Sequence, residues 1–253
     1  MKFNFSGKNA IITGGANGIS FEVAKGLCSA GAKSFILDID EKGALAAINE
    51  LEGSGFEAEF RRVDMTNDDQ VSSVVSEVVK DVGKVDILFN GAGIMDSRSM
   101  AETETSSFRH VLDVNLFGTY TVTRAVLANM MKNSYGRIIN VTSAYANGVR
   151  NSIGYAASKG AITSLTRSLA SEMKALDLDI TVNAISPPAT DTALWRRTRS
   201  EEVIRRHLEM KDVGKPGDMV TTVLFLASEE SFLVSGEVIG HKYALMKAPD
   251  SRN

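Results

Sequence analysis

The feature of this 253-residue sequence that most restricts its fold is the alternation of short apolar runs with longer helical patterns. The runs DILFN and RIINVT are almost entirely apolar in the middle, which is typical of parallel strands covered on both faces. Strands are predicted at 9–13, 34–38, 57–63, 86–90, 136–142 and 180–185, and helices at 19–30, 42–51, 68–82, 108–131 and 153–174. This repetition predicts a doubly wound α/β fold with a mostly parallel sheet.

No low-complexity tract or linker interrupts the pattern, so we expect one domain over residues 1–253. The rhythm changes only at 189–214, which carries Trp195 and the basic run WRRTRSEEVIRRH. A late insertion of this kind in an α/β chain predicts a helical lid over a binding site.

Composition excludes several classes of function. The formal net charge is −3, so nothing favours nucleic acid or an anionic membrane surface as a partner. No apolar run has the length of a signal-peptide core or a membrane span. Cys28 is the only cysteine, which fits a reducing compartment. These features together predict a soluble, cytoplasmic protein. The three histidines have no metal-ligand spacing, and we expect no metal site.

The run TGGANGIS follows the first predicted strand and precedes the first helix. Gly14 and Gly18 allow a tight turn and a close approach to the amide groups at the helix start, where a pyrophosphate fits. Asp38 ends the next strand, about 20 residues further on, where a carboxylate binds the adenosine ribose of NAD and repels the 2′-phosphate of NADP. Taken alone, the loop is also compatible with a plain turn and Asp38 with a solvent-facing acid, but together they favour NAD.

A second set of residues indicates acid–base chemistry. Tyr155 and Lys159 are four residues apart in GYAASKGAITSL and therefore share one helix face. A neighbouring ammonium lowers the pKa of a phenol, which is ordinarily about 10. Ser143 closes the strand before this helix, so it is expected at the same end of the sheet. An exposed helical pair is the alternative interpretation of Tyr155 and Lys159.

The combined pattern resembles the short-chain dehydrogenase/reductase family from about residue 8 to 240. The resemblance is carried by TGGANGIS, Asp38, NGAG at 90–93, Asn115, Ser143 and YAASK, in the family's order and spacing. It implies a Rossmann-like domain with about seven strands. It also implies a homotetramer or homodimer, with helices 108–131 and 153–174 as the usual interface.

The resemblance also implies roles for individual residues. Tyr155 would be the general acid/base, Ser143 would orient the substrate oxygen, Lys159 would bind the nicotinamide ribose, and Asn115 would hold a water in a proton relay. The implied cofactor contacts are Gly14, Asn17, Gly18, Ile19, Asp38, Asp64, Met65, Asn90, Tyr155, Lys159, Pro187, Thr190 and Thr192. Candidate substrate contacts are Tyr145, Arg150 and Trp195.

The sequence departs from the family pattern at four places. Ser20 replaces the third glycine of the loop, and Gly91 replaces the second asparagine of N-N-A-G. Pro188 follows Pro187 where Pro-Gly is usual, with Thr190 in place of valine or isoleucine. His241, Lys242 and Tyr243 stand where an aspartate and paired glycines usually follow. We expect weaker packing at Ser20, a less rigid sheet at Gly91, and displaced carboxamide-binding backbone at Pro188.

The sequence therefore predicts an NAD(H)-dependent oxidoreductase that interconverts a small secondary alcohol and a ketone. Two alternatives stay open. One is a 3-oxoacyl thioester reductase using NADP(H), for which the lid arginines would offer an anion anchor. The other is a sensor or scaffold that binds NAD(H) without turnover. The lid arginines are also explained by a solvated helix whose glutamates pair with them.

Overall fold

The computed structural model describes residues 2–240, in which seven strands form one sheet in the order β3-β2-β1-β4-β5-β6-β7. Every neighbouring pair of these strands is parallel. The strands are β1 (Asn9–Thr13), β2 (Lys33–Asp38), β3 (Ala58–Arg62), β4 (Ile87–Asn90), β5 (Tyr135–Val141), β6 (Asp179–Ser186) and β7 (Val238–Gly240). The predicted doubly wound, Rossmann-like fold is confirmed.

Helices cover both faces of the sheet. They are α1 (Gly18–Ser29), α2 (Glu41–Gly53), α3 (Asp68–Val82), α4 (Thr105–Leu112), α5 (Gly118–Lys132), α6 (Ile153–Ala175), α7 (Ala193–Arg197), α8 (Glu201–Met210) and α9 (Val220–Ala227). Apolar residues of α1, α2 and α9 form one core with the sheet, and those of α3, α5 and α6 form the other. Both faces of the central strands are thus buried, which explains their unbroken apolar runs.

The helix predicted at 108–131 is interrupted. Its first part is α4, its second part is α5, and a π-helical turn at Asp113–Phe117 joins them. An extra residue in a helical turn rotates the following side chains, and such turns are frequent at functional sites. Here the turn contains Asn115, whose side chain is completely buried. Along residues 2–240, no helix combines the length and the apolar character needed to cross a membrane.

The fold places a crevice at the carboxyl ends of β1 and β4. These two strands are neighbours, and the chain winds outward from them in opposite directions, which creates the usual ligand position of open α/β sheets. Thr13 ties the two loops together, because its hydroxyl accepts hydrogen bonds from the backbone N–H groups of Gly91 (3.0 Å) and Ala92 (3.1 Å).

Candidate active site

A cavity of about 420 Å³ occupies this crevice and is closed on one side by the lid, defined here as residues 189–214. Both ends of the lid are joined by backbone hydrogen bonds, from Gly214 N to Ala189 O (2.8 Å) and from Asp191 N to Gly214 O (2.9 Å). The lid is therefore a closed loop whose two ends lie side by side. Its helices α7 and α8 match the predicted helical lid.

The glycine loop forms one wall of the cavity. Gly14 has φ +70°, and a Cβ there would lie 2.7 Å from the Cα of Ala92, so only glycine permits this approach of the loops after β1 and β4. Asn17 precedes α1 without capping it through its side chain. The first amide groups of α1 are therefore left without a side-chain cap, as an anion-binding helix start requires. Gly14, Asn17, Gly18 and Ile19 all line the cavity, and their contact with a cofactor stays a prediction.

Two of the unusual residues face each other in this wall. A Cβ at Gly91 would overlap the hydroxyl of Ser20 and come 2.7 Å from the Phe89 ring. The Ser20 side chain, which is buried, thus fills the space that a larger residue at 91 would need. The glycine-to-serine and asparagine-to-glycine departures are sterically complementary.

Asp38 stands at the end of β2 and lines the opposite end of the cavity. Its two carboxylate oxygens accept hydrogen bonds from the backbone N–H groups of Ala16 and Asp40, each at 3.0 Å. A carboxylate has about four acceptor positions, so each oxygen can accept another hydrogen bond. The backbone contacts fix the carboxylate toward the cavity.

Asp64 and Met65 also line this end, as predicted. The Asp64 carboxylate is held by Thr66, which donates to it from its backbone N–H (2.9 Å) and its hydroxyl (2.8 Å). Met65 is buried and forms an apolar slot with Leu37 and Val63. An apolar slot beside fixed carboxylates has the character of an adenosine pocket.

Asn90 stays a predicted cofactor contact, but its side chain faces away from the cavity. Its side chain is 2% exposed, does not line the cavity, and donates to Thr123 Oγ1 and to Asn140 Oδ1, both at 2.9 Å. Asn140 in turn donates to Thr166 Oγ1 at 2.9 Å. Side chains alternate between the faces of a strand, and the Asn90 side chain lies on the face that meets α5. This polar ladder braces the sheet although residue 91 is glycine. It offsets the loss of rigidity that we expect from the missing asparagine.

Ser143, Tyr155 and Lys159 meet at the other end of the cavity. Ser143 follows β5, and its hydroxyl accepts a hydrogen bond from the Tyr145 backbone N–H (3.1 Å), which aims it at the cavity. Lys159 is 3% exposed, donates from Nζ to the Val141 carbonyl (2.8 Å), and has its Nζ 5.7 Å from the centre of the Tyr155 ring. The alternative of an exposed helical pair is thereby excluded for Tyr155 and Lys159.

The protein's own groups shift both pKa values in the directions that burial dictates. Burial lowers the pKa of the Lys159 ammonium to about 8, since no carboxylate among residues 2–240 lies within ion-pair distance of it. Burial raises the pKa of the Tyr155 phenol, against smaller lowering effects of the Ser143 hydroxyl and the Arg199 charge. The expected lowering of the Tyr155 pKa by Lys159 is therefore not produced by the protein's groups alone.

Asn115 lies behind the reacting groups. Its Oδ1 accepts from the Ile94 backbone N–H (2.8 Å), and its Nδ2 donates to the Ile94 carbonyl and to Ser158 Oγ, both at 3.0 Å. The side chain thus fastens the loop after β4 to α6, the helix that carries Tyr155 and Lys159. The proton-relay role of Asn115 stays a prediction, while its bracing role is visible.

The segment with the second proline runs along the cavity without a break. Pro187 accepts a hydrogen bond at its carbonyl from the Ala144 N–H (3.0 Å), which ties it to the loop of Ser143. Thr190 donates from its hydroxyl to the Pro188 carbonyl (3.0 Å), and Thr192 accepts from the Trp195 N–H (3.2 Å) and begins α7. Pro187, Thr190 and Thr192 all line the cavity, as predicted.

Among the candidate substrate contacts, Tyr145 and Trp195 line the cavity. Arg150 does not, because it lies exposed beyond the short helical turn that follows Ser143, and its contact with a substrate stays a prediction. The cavity instead includes His110 and Arg197, which the sequence analysis did not select. The basic run that contains Arg197 was the available signal. His241, Lys242 and Tyr243 lie outside the described residues.

A family model described as short chain dehydrogenase matches residues 8–203 of the chain. The chain is 33% identical over 245 residues to the 2-dehydro-3-deoxy-D-gluconate 5-dehydrogenase of Formosa agariphila, with 94% of this chain and 92% of the relative covered. It is 32% identical over 237 residues to a 3-oxoacyl-[acyl-carrier-protein] reductase of Thermotoga maritima, with 92% and 96% covered.

The fold is also similar to that of solved structures. An actinorhodin polyketide ketoreductase crystallised with NADPH superimposes with a TM-score of 0.88 at 27% identity, over 95% of this chain and 97% of that one. Sequence and structure therefore agree over nearly the whole length of the chain.

Proposed function

Because the chain belongs to the short-chain dehydrogenase family of oxidoreductases, we propose that it is an NAD(H)-dependent enzyme that interconverts a small secondary alcohol and a ketone. One observation carries the proposal. Ser143, Tyr155 and Lys159 converge at one end of a cavity whose other end presents the Asp38 carboxylate. The glycine loop and the start of α1 lie between these two ends of the cavity.

The residues present fit a nicotinamide dinucleotide. Gly14 and the uncapped start of α1 would hold the pyrophosphate, Asp38 the adenosine ribose, the slot at Met65 the adenine, and Lys159 the second ribose. The bound nicotinamide ring supplies a carbon that accepts hydride from the alcohol or donates it to the ketone.

Tyr155 and Ser143 act on the substrate oxygen. In the oxidation, the Tyr155 oxygen takes the hydroxyl proton while the carbinol carbon loses hydride and the carbonyl forms. In the reduction, the phenol returns that proton to the oxygen as charge develops there. The Ser143 hydroxyl, fixed by the Tyr145 N–H, donates to the same oxygen and stabilises its charge.

Lys159 tunes this proton transfer. Its Nζ has one donor committed to the Val141 carbonyl and others left for a ribose hydroxyl. When protonated, it favours the phenolate form of Tyr155 and opposes the effect of burial on the phenol. A pKa of about 8 means that Lys159 itself changes charge within the working range of an enzyme.

Asp38 supports NAD over NADP as the preferred cofactor. Its carboxylate is fixed by two backbone N–H groups, and Asp40 and Asp64 line the same end of the cavity. Three acids at this end would repel a 2′-phosphate. The NADPH of the ketoreductase belongs to that protein.

The test is a calorimetric titration of the purified protein with NADH and with NADPH. We expect NADH to bind at least about 10-fold more tightly, since each charged hydrogen bond is worth roughly 1.5–3 kcal/mol. Asp38→Asn should remove most of this preference. Glu41→Gln is the matched control, because this exposed acid begins α2 next to Asp40 but does not line the cavity. Tighter binding of NADPH by the unaltered protein would refute the cofactor assignment.

A further inference from the structure

One hydrogen bond joins the lid to a distant part of the domain. In the described part of the chain, and apart from the contact of Thr190 with the adjoining Pro188, no other hydrogen bond leaves the lid. It runs from Arg199 Nη2 to the Tyr145 hydroxyl, and at 3.4 Å it is weak in itself. The contact nevertheless places a lid guanidinium on the loop after β5, which carries Ser143.

The guanidinium is held in this position from the lid side. The Arg199 Cζ lies 4.8 Å from the centre of the Trp195 ring, and Nη1 donates to the Trp195 carbonyl (2.9 Å) and to Thr198 Oγ1 (2.8 Å). Trp195 is itself buried and lines the cavity, whereas Arg199 lies behind that lining. Arg199 is therefore placed to act on the site through its neighbours and its charge, not by touching a substrate.

Tyr145 connects this arginine to the reacting groups. Its backbone N–H donates to Ser143 Oγ (3.1 Å), and the residue lines the cavity together with Ser143 and Tyr155. One residue thus fixes the hydroxyl that orients the substrate oxygen and also receives the guanidinium of the lid. The orientation of Ser143 and the position of Arg199 depend on the same short helical turn after β5.

The charge of Arg199 is not neutralised within the described chain. Arg196, three positions earlier, forms an ion pair with Asp191, whereas no carboxylate of residues 2–240 lies within ion-pair distance of Arg199. The Arg199 side chain is also partly buried, so water screens its charge less than it screens a charge at the surface. Its field therefore extends into the neighbouring end of the cavity.

An electrostatic effect on Tyr155 supports this interpretation. Burial raises the pKa of the Tyr155 phenol, the Ser143 hydroxyl and the Arg199 charge oppose this rise, and charge on Tyr145 would add to it. The Arg199 charge thus favours the phenolate, the form that accepts a proton from an alcohol. The remaining titratable groups that line the cavity are Lys159 on the same helix, His110 of α4, Arg197 of the lid, and Asp38, Asp40 and Asp64 at the opposite end.

We propose that Arg199 is a positioning residue of the reaction: through Tyr145 it joins the lid to the loop of Ser143, and its positive charge stabilises the phenolate of Tyr155. This inference rests on the proposed function and extends it to the lid. Proton transfer at Tyr155 then depends on a residue that touches neither substrate nor cofactor.

The pH dependence of alcohol oxidation tests the inference. Small secondary alcohols are screened with NAD, and kcat/KM for the best of them is measured from about pH 6 to pH 10. Arg199→Gln should lower kcat/KM about threefold to tenfold at the acidic end, because the phenolate forms less readily without the charge. The loss should shrink toward the alkaline end. A merely structural role would lower the whole profile without moving its acidic limb.

Three further variants locate the effect. Arg199→Lys keeps a positive charge and should recover most of the loss. Tyr145→Phe removes the hydroxyl that Arg199 contacts, and Arg199→Gln should cost less in that background than in the unaltered chain. Arg206→Gln removes an exposed charge of α8 that does not line the cavity, and should leave the profile unchanged.

A measurement without turnover separates this inference from the proposed function. Tyrosinate absorbance is titrated in the unaltered chain, in Arg199→Gln and in Tyr155→Phe, which identifies the Tyr155 step among the five tyrosines of the chain. Arg199→Gln should move that step to higher pH. A step at the same pH would overturn the inference while any dehydrogenase activity stands. If no alcohol is oxidised, the proposed function fails, and this titration alone decides whether Arg199 acts on Tyr155.

Discussion

The glycine-loop wall and the lid enclose the same cavity, but their unusual residues differ in whether they find partners within the protein. In the wall, Ser20 occupies the space beside Gly91, so two departures from the family pattern satisfy one another. In the lid, Trp195 Nε1 lacks a partner and Arg199 lacks an acid within the described chain. The difference is that two unusual residues of the wall fill one space, whereas the lid holds a donor that the described residues leave without a partner.

This comparison assigns stability to the wall and tuning of the reaction to the lid. The buried polar side chains of the floor are joined in the ladder from Asn90 to Thr166, although the Asn90 Oδ1 has no partner among the described residues. Substitutions there should change the free energy of unfolding. Substitutions in the lid should change kinetic constants and little else. The predictions below test that division, beginning with the reacting groups that both regions serve.

Tyr155→Phe should have the largest effect. The substitution removes only the phenolic oxygen, and loss of a general acid/base typically costs 10²–10⁴-fold in rate. We expect kcat to fall by about 10³-fold while NADH affinity and unfolding free energy stay close to those of the unaltered chain. Steady-state kinetics with the best substrate and an NADH titration measure both. A variant that keeps its cellular function without turnover would favour the sensor interpretation.

Lys159 gives a prediction about pH. Its pKa in the folded protein is about 8, below the ordinary value of 10.5, so between these pH values the unfolded chain binds more protons and stability rises with pH. The contribution grows by roughly 1.4 kcal/mol per pH unit and reaches on the order of 3 kcal/mol. It is absent below about pH 8, where the lysine is protonated in both states.

Urea unfolding at pH 7 to 10.5 measures this contribution. The difference in unfolding free energy between the unaltered chain and Lys159→Met should change across that window, because the methionine cannot titrate. Lys132→Met, on an exposed lysine at the end of α5, should track the unaltered chain. A constant difference at every pH would contradict a buried Lys159 with a lowered pKa.

The complementary pair in the wall predicts non-additive stabilities. Gly91→Asn should overpack against Ser20 and the Phe89 ring and cost about 1–3 kcal/mol. Ser20→Gly alone removes a buried side chain and should cost less. In the double variant the asparagine enters the space that serine leaves, so part of the loss should return, with a coupling free energy of about 0.5–3 kcal/mol.

Urea unfolding of these four chains completes the cycle, and NADH affinity provides a second measurement. Ser20→Ala separates the hydroxyl from the Cβ, since it removes only the oxygen that lies next to Gly91. Strict additivity of the two substitutions would mean that Ser20 and Gly91 are independent departures.

The sequence predicted the features that depend on the order of residues within a short stretch of chain. Strand positions followed from apolar runs, and Asp38, Ser143 and Lys159 could be placed because parallel strands end at one edge of the sheet. It failed where the outcome depends on contacts between distant segments. Ser20 and Gly91 are 71 positions apart, and each one alone resembles a defect. The orientation of the Asn90 side chain, which faces away from the cavity, could not be predicted because spacing does not reveal which strand face carries a side chain.

The π-helical turn and the arginines show the same limit. The pattern at 108–131 is compatible with one helix, since a single inserted residue leaves the apolar period almost unchanged. Arg150 is closer to Ser143 in sequence than Arg199 is, yet the short turn after β5 carries it outward, whereas Arg199 contacts the Tyr145 hydroxyl from the lid. Sequence distance cannot decide between two arginines when a tertiary loop determines which one approaches the residues around the cavity.

The smallest effect on stability is expected for a lid arginine, and it is the most specific test of the difference between the wall and the lid. Arg199→Gln removes no intrachain ion pair, and its remaining hydrogen bonds join it to lid residues and to Tyr145. The unfolding free energy should therefore change by less than about 0.5 kcal/mol. Arg196→Gln, which breaks the pair with Asp191, should likewise have a small effect, because that pair is solvent-exposed. If Arg199→Gln instead destabilised the protein as strongly as Gly91→Asn, the guanidinium would be part of the fold.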